Sequence, residues 1–370
     1  MVTVFPVRKA KDVKRFIKLL WLIYRGDPNW VPPIKMDRKQ LMDVKRNPFY
    51  KHADVEFFLA YKNGKIVGRI AAIINRTHNE FHNEHIGHFG FFESINDPEV
   101  SAKLFEAVKL FFKARGISKM LGPMNPSTND ECGLLVDGFD FSPMVLMTYN
   151  PRYYLDLFEA EGLQKTKDLY AYFLEDKKVM SEKLVRVSEM VKKREDMTFR
   201  TLNMKDFRNE IQRIQEIYND AWEKNWGFVP MNNEEFSYLA KQMKTIVVPE
   251  LVIIAEKNSR PIGFALSLPD INIALKYNTK GTLLGGVYQL FRRKKEINQV
   301  RIITLGVVKD FRNSGAASVL FYETARRAII KGYTKGEASW ILEDNVMMNR
   351  SAEMLNATRY KTYRMYEKNF

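Results

Sequence analysis

Residues 301–317 read Arg-Ile-Ile-Thr-Leu-Gly-Val-Val-Lys-Asp-Phe-Arg-Asn-Ser-Gly-Ala-Ala: an apolar run ending at Val308, a short polar turn, and the start of a helical pattern. A glycine among small neighbours at a strand-to-helix turn lets backbone N–H groups gather on a phosphate. The helix N-terminus adds partial positive charge there, and Arg312 can add a fixed charge with forked donors. The turn is therefore a candidate anion site built from Arg312, Asn313, Ser314, Gly315, Ala316 and Ala317.

Working outward, the spacing predicts a short strand over 198–203 and helices over 207–226 and 234–246. A hairpin follows, with arms 251–256 and 262–268 around Asn258-Ser259. After the strand 301–308 come a helix over 315–331, a strand over 338–342, a helix from about Asn345 and a last strand over 360–367. Strands interleaved with helices in this way give a mixed α/β (α+β) domain, a central sheet flanked by helices.

The first half repeats this order. Lys11-Asp12 and Asn29-Trp30 recur as Lys205-Asp206 and Asn225-Trp226, and Lys62-Asn63-Gly64 recurs as Lys257-Asn258-Ser259. Lys165-Thr166 recurs as Lys361-Thr362. Collinear matches at a nearly constant offset mark a duplicated domain. The offset lengthens where Leu104-Phe105 and Gly116 meet Leu320-Phe321 and Gly332, so each half carries a private insertion, 125–149 in the first and 270–299 in the second. Long inserts in compact domains are often functional, which makes both candidate acceptor-site or interdomain elements. Two domains are expected, 1–175 and 198–370. Between them Met180, Leu184, Val187 and Val191 recur at helical spacing, which predicts a linker helix over 176–197.

At its anion-binding turn the second half resembles the GNAT superfamily of acyl-CoA N-acyltransferases, whose loop runs Arg or Gln, two residues, Gly, one residue, Gly or Ala. Arg312, Gly315 and Ala317 satisfy it. The resemblance extends over 198–370 and covers Asn345 and Leu355-Asn356-Ala357, where the superfamily usually has Leu-Gly-Phe. It implies an acyl-CoA co-substrate (acetyl-CoA or another), transfer of an acyl group, acetyl by family habit, to a small-molecule or peptide amine, and pantetheine along the backbone of Leu305 and Val307. Asn345 joins the expected coenzyme site. Trp226 and the insertion opening at Asp270 fall on the expected acceptor side, where aromatic packing explains Trp226 equally well. Two features depart from the family. Ala352 stands where many relatives carry an acid-supplying tyrosine, and one strand follows the last helix, so a seventh strand is missing or comes from the other domain.

The first half lacks the loop. Its strand over 86–92 runs into Glu93-Ser94-Ile95-Asn96-Asp97-Pro98-Glu99, a stretch with no glycine and three carboxylates, which repels a pyrophosphate. It reads as a degenerate copy. For proton removal from the amine, Glu343 and Asp344 stand at the end of strand 338–342; they are either general bases or dipole-favoured residues opening the next helix.

Composition narrows the remaining choices. A chain of 370 residues with 45% hydrophobic content can bury two cores. No apolar run reaches the roughly 18 residues of a membrane span, and the first twelve residues lack a signal-peptide core. Cys132 is the one cysteine, so an internal disulfide is excluded and a cytoplasmic, reducing setting with a packed thiol is expected. His78, His82, His85 and His88 lie close together, but no cysteine or well-spaced carboxylate completes a ligand set, so no metal is expected. The net charge of +15 suits anionic ligands. It also suits tRNA, as in a Fem-like aminoacyl transferase, the alternative to acyl-CoA transfer; a non-catalytic acyl-CoA sensor is a third reading. The basic stretches 177–213 and 291–295 lack interleaved aromatics and read as solvated faces.

Overall fold

The computed structural model describes residues 1–175 and 179–370. In the first repeat the strands are β1 (Val2–Pro6), β2 (Ala53–Lys62), β3 (Lys65–Asn75), β4 (Gly87–Ser94), β5 (Lys119–Gly122), β6 (Met124–Asn125), β7 (Glu131–Cys132), β8 (Leu134–Asp137) and β9 (Gln164–Glu175). The second repeat adds β10 (Met197–Thr201), β11 (Val252–Lys257), β12 (Arg260–Pro269), β13 (Gln299–Val307), β14 (Lys335–Leu342) and β15 (Thr358–Asn369). The chain folds as two compact units that interleave in sequence. One holds residues 1–169, 274–292 and 361–370; the other holds 170–273 and 293–360.

In the first unit β1, β2, β3 and β4 pair antiparallel in that order, and β5 joins β4 in parallel. Residues Tyr366–Asn369 of β15 close this sheet against β5. The helix Pro98–Lys113 connects β4 to β5. Asp97 caps it, Pro98 opens it, and Val100, Leu104, Val108 and Phe112, spaced by four, form its buried stripe. That stripe packs on Ile70, Phe89, Phe92 and Phe158.

In the second unit β10, β11, β12 and β13 pair antiparallel, and β14 joins β13 in parallel after the helix Ala316–Ile330. Ile253, Ile254, Phe264, Val307, Ala316 and Leu320 lie in its main core. Tyr172 and Leu174, at the end of β9, pack in this unit with Phe321, Ala338 and Ile341. The last strand of each repeat thus divides: the end of β9 serves the second unit and the end of β15 the first. The second unit thus takes in the end of β9, a strand of the first repeat that neighbours β14.

The helix expected over 207–226 runs Phe207–Trp222, because Gly227, at φ +68°, turns the chain. The helix expected over 234–246 runs Asn233–Met243. It starts at a capping box of Asn232 and Glu235 and stops before the β-branched run 245–248 and Pro249. The linker helix is Glu182–Glu195 and lies in the second unit, with Ser188 and Val191 buried; residues 176–178 of the expected linker lie outside the described residues. Insertion 270–299 carries the helices Asn272–Leu275 and Leu283–Arg292, and its residues 274–292 belong to the first unit.

Candidate functional site

The site lies where β13 and β14 part. Their parallel pairing runs from Gln299↔Lys335 to Ile302↔Ala338 and stops, while β13 continues to Val307 and β14 to Leu342. A bulge marks the same place: β12 pairs Leu266 with Thr304 but Ser267 with Ile302, so Ile303 is the extra residue. Past the bulge, β13 keeps β12 on one side only. Val308 donates its N–H to Ile262 O at 2.9 Å on that side. Strand alternation therefore aims the N–H groups of Val307 and Leu305 at the opposite edge, which β14 leaves. The Thr304 hydroxyl is buried at this level and has no hydrogen-bond partner among the described residues.

At the end of β13 the turn 309–315 enters the helix Ala316–Ile330 through Gly315, which sits at φ +84° with no side-chain cap. The Ser314 hydroxyl donates to Phe311 O at 2.7 Å and accepts from Ala316 N at 3.2 Å. Among the described residues no acceptor pairs with the backbone N–H groups of Asn313, Gly315 or Ala317. Three free donors within five residues at a helix N-terminus form an anion cradle. The guanidinium of Arg312 donates to Ala221 O at 2.9 Å, and Lys309 N donates to Asp220 Oδ1 at 2.7 Å, so the turn is fastened to the last turn of the helix Phe207–Trp222. Gly315 is also a packing requirement: a Cβ there would stand 2.8 Å from Val191 Cγ2 of the linker helix.

Against the open part of β13 lies Trp222. A Cβ on Gly306 would come within 2.3 Å of the indole Cη2, so only glycine lets the ring rest on the strand. Tyr218 stacks on Trp222 with centroids 5.0 Å apart, and Phe264 tilts against it at 5.7 Å. Trp226 is half-exposed in the turn after that helix. The aromatic on the strand is thus the residue one helical turn earlier. Asp270, buried, accepts from Gln299 Nε2 at 2.8 Å and from Asn272 N at 3.3 Å. It fastens the start of β13, a strand's length from the turn at Gly315.

The end of β14 carries the candidate base. Glu343 is half-buried and Asp344 exposed, in the turn before the helix Val346–Met354. Neither caps that helix. The cap is Asn345, whose side chain accepts from Met348 N at 3.2 Å. Asn349 ties the turn down by donating to Leu342 O at 2.9 Å and accepting from the Tyr172 hydroxyl at 2.9 Å.

At the root of the opening is a buried polar group that the sequence did not single out. Arg301 and Glu337 are register partners on β13 and β14. Arg301 Nε donates to Ser339 Oγ at 2.9 Å, and the Glu337 carboxylate accepts from Ser339 and from the Tyr360 hydroxyl. Alternation in β14 puts Glu337 and Ser339 on one face, a pattern visible only once the register is known.

The corresponding place in the first unit is closed. β4 and β5 pair only at Gly87↔Met120 and His88↔Leu121 before parting, and β4 bulges at Phe91, φ +51°. The gap is filled from within: a Cβ on Gly90 would lie 1.5 Å from Met124 O, and Phe91 N donates to Asn125 Oδ1 at 2.5 Å. Asn125 Nδ2 donates to Glu131 at 3.3 Å, and Arg38 clamps Glu131 with two bonds of 2.6 and 2.8 Å. Burial alone would raise the Glu131 carboxyl, but Arg38 and Asn125 hold it below its ordinary range. The start of insertion 125–149 is therefore a plug. The helix N-terminus is taken as well, since Asp97 Oδ1 accepts from Glu99 N at 3.0 Å and Lys62 pairs with Asp97 at 2.6 Å and Glu99 at 2.9 Å.

The three-carboxylate turn expected there needs correction. Glu93 and Ser94 belong to β4 and are buried. Glu93 accepts from the hydroxyls of Tyr154 at 2.7 Å and Tyr24 at 3.0 Å, with Arg69 at 3.4 Å. Burial pushes its carboxyl above the ordinary range against the pull of these partners. Among the described residues no group of three or more His, Cys, Asp or Glu side chains could hold a metal. His78 instead packs its ring 4.5 Å from His82 and 4.5 Å from His88.

No family model matches the chain. It is 38% identical to the "Bacterial ceramide synthase" of Caulobacter vibrioides, over 99% of this chain and 97% of that protein. It is 36% identical to "Protein YghO" of Escherichia coli, over 96% of this chain and 93% of that one. In three dimensions it matches a tandem GNAT protein from the clavulanic acid biosynthesis pathway with a TM-score of 0.58 at 10% identity, over 100% of this chain and 98% of that one. The fold is therefore that of tandem GNAT proteins.

Proposed function

Since this chain belongs to the family of the Caulobacter bacterial ceramide synthase and YghO, we propose that it is an acyl-CoA-dependent N-acyltransferase whose acceptor is the amine of a long-chain amino alcohol. A ceramide is the amide of such an amine with a fatty acid, which makes the donor a fatty acyl thioester in preference to the acetyl thioester that family habit suggests. The observation that carries the reading is the contrast between the units. The second has three free N–H groups at Asn313, Gly315 and Ala317 beside an open strand edge, while Asp97 and Asn125 fill the same places in the first.

The residues fit the parts of acyl-CoA in order. The N–H groups of the turn at Gly315 receive the pyrophosphate, with Arg312 beside them. Leu305 and Val307 offer backbone groups to the pantetheine arm, and the Val307 N–H donates to the oxyanion that develops on the thioester carbonyl. The amine attacks that carbon, the C–N bond forms, the C–S bond breaks, and coenzyme A leaves as the thiol. Glu343 is our candidate to take the amine's proton directly or through water, with Asp344 behind it; Trp222 walls the acceptor side. A cytoplasmic location, where acyl-CoA is made, completes the proposal.

Purified full-length chain incubated with a fatty acyl-CoA and a long-chain amino alcohol should release coenzyme A thiol and yield the amide, read by mass spectrometry. No amide from that pair, with product formed from acetyl-CoA or from an aminoacyl-tRNA instead, overturns the proposal.

A further inference from the structure

The helix Leu283–Arg292 turns its apolar side to solvent. Leu284, Val287, Tyr288 and Phe291, at the i, i+3, i+4, i+7 positions that normally face a core, are 83%, 57%, 56% and 85% exposed. Its other side is packed through glycines. A Cβ on Gly286 would stand 3.0 Å from Ile34 Cδ1, and one on Gly285 2.4 Å from Asn278 Oδ1. The segment before it is fastened within the same unit: Trp21 Nε1 donates to Thr279 O at 2.6 Å and Lys35 N to Gly281 O at 2.9 Å. The exposed stripe is thus presented on a fixed support. From Ala274 to Arg292, the part of the insertion that lies in this unit, the chain has no acidic residue and three basic ones, Lys276, Lys280 and Arg292.

We infer that this helix docks the protein on an anionic lipid bilayer, lying in the interface with Leu284, Val287, Tyr288 and Phe291 sunk below the headgroups and the flanking Lys and Arg among the lipid phosphates. An exposed apolar stripe edged by one sign of charge is the pattern of an interfacial helix, whose apolar face sinks roughly 5–10 Å. Ten residues at 1.5 Å rise span about 15 Å, half the hydrocarbon thickness, so the helix lies on the membrane and does not cross it. Nucleic acid would account for the three cations but not for four exposed apolar side chains. A second copy of the chain would bring like charges, its own Lys276, Lys280 and Arg292. The inference stands on this helix and not on the acyl transfer, and vesicles without substrate test it whatever the reaction.

The test is co-sedimentation of the full chain with phosphatidylcholine vesicles, with and without phosphatidylglycerol, at low and high salt. Binding is expected with the anionic lipid and should weaken as salt screens the cations. Phe291→Ser should lower the partition coefficient about tenfold or more, as expected for losing one buried aromatic. Leu284→Trp should keep binding and shift its indole emission to the blue on vesicles, which places the stripe in the apolar layer. Equal binding to neutral and anionic vesicles, unchanged binding of Phe291→Ser, or an unshifted Leu284→Trp emission overturns the inference. So does a dimer that Phe291→Ser dissociates in the absence of lipid, or binding to nucleic acid but not to vesicles.

Discussion

Gly315→Ala tests the proposed coenzyme turn by two separable effects. The backbone at φ +84° lies in the left-handed region, where an L side chain costs roughly 1–2 kcal/mol. The new methyl would also stand 2.8 Å from Val191 Cγ2 and 3.3 Å from Cγ1, against an optimum of about 3.5–4.0 Å between carbons. The linker helix or the turn must give by about 1 Å, and overpacking of this kind costs about 1–3 kcal/mol. The single variant should therefore lose about 2–5 kcal/mol of unfolding free energy in urea. Val191→Ala alone removes two buried carbons and should cost about 1.6 kcal/mol. In that background Gly315→Ala has room for its methyl and should cost only the backbone part. The double-mutant cycle should then return a coupling of about 1–3 kcal/mol. Calorimetry on the same four proteins reads the function: coenzyme A should bind more weakly to Gly315→Ala and recover in part with Val191→Ala, because the turn returns toward its place. A coupling near zero, or coenzyme A affinity indifferent to Gly315→Ala, would refute the reasoning.

Calorimetry should find one coenzyme A per chain, removed by Gly315→Asp, since a carboxylate at that turn would repeat what Asp97 does in the first unit; two sites would contradict this. Glu343→Gln should lower turnover about a hundredfold with acyl-CoA affinity nearly unchanged, the pattern of a lost general base; unchanged turnover would leave Glu343 a turn residue. Stability should fall as the medium is acidified. Burial, helped by the neighbouring imidazoles, holds His88 well below its ordinary value, and burial also lowers His78. A depressed histidine leaves the unfolded chain holding more protons below about pH 6.5, so the first unit loses up to about 1.4 kcal/mol per histidine for each pH unit below that. Urea midpoints at pH 7.5 and 5.5 for wild type and His88→Asn measure it, and equal slopes for the two proteins would remove His88 from the account.

How much of this was readable in the sequence depends on how local the signal was. The turn at Gly315, the hairpin between β11 and β12, the strand β13 and the linker stripe at Val191 are written in short windows, where periodicity and glycine act directly. Trp222 was legible as an aromatic on a helix. Its seat on Gly306 was not, because that contact depends on how the helix Phe207–Trp222 crosses the strand, whereas the repeated Asn-Trp pair marks Trp226. The Arg301, Glu337, Ser339 and Tyr360 group is likewise invisible until the register of β13 on β14 brings residues dozens of positions apart onto one face.

The hardest part to read was the degenerate copy, and the reason is physical. A missing glycine and an added carboxylate argue only that a phosphate is unwelcome; they do not say what stands in its place. In the first unit the vacancy left by a bound thioester arm would expose strand edges and a helix N-terminus at the same position where the second unit needs them exposed. Such groups must be satisfied when no ligand comes. Asn125 satisfies the Phe91 N–H at the edge of β4, the Met124 carbonyl packs against Gly90, and Asp97 caps the helix, so the insertion 125–149 and the acidic turn answer one requirement. The open state of the second unit is then the costly one, kept where Gly315, Gly306 and the bulge at Ile303 hold donors and a strand edge free. A duplicated fold that seals one copy and leaves the other open would concentrate ligand binding in the half where the backbone is still unsatisfied, as the proposed function requires.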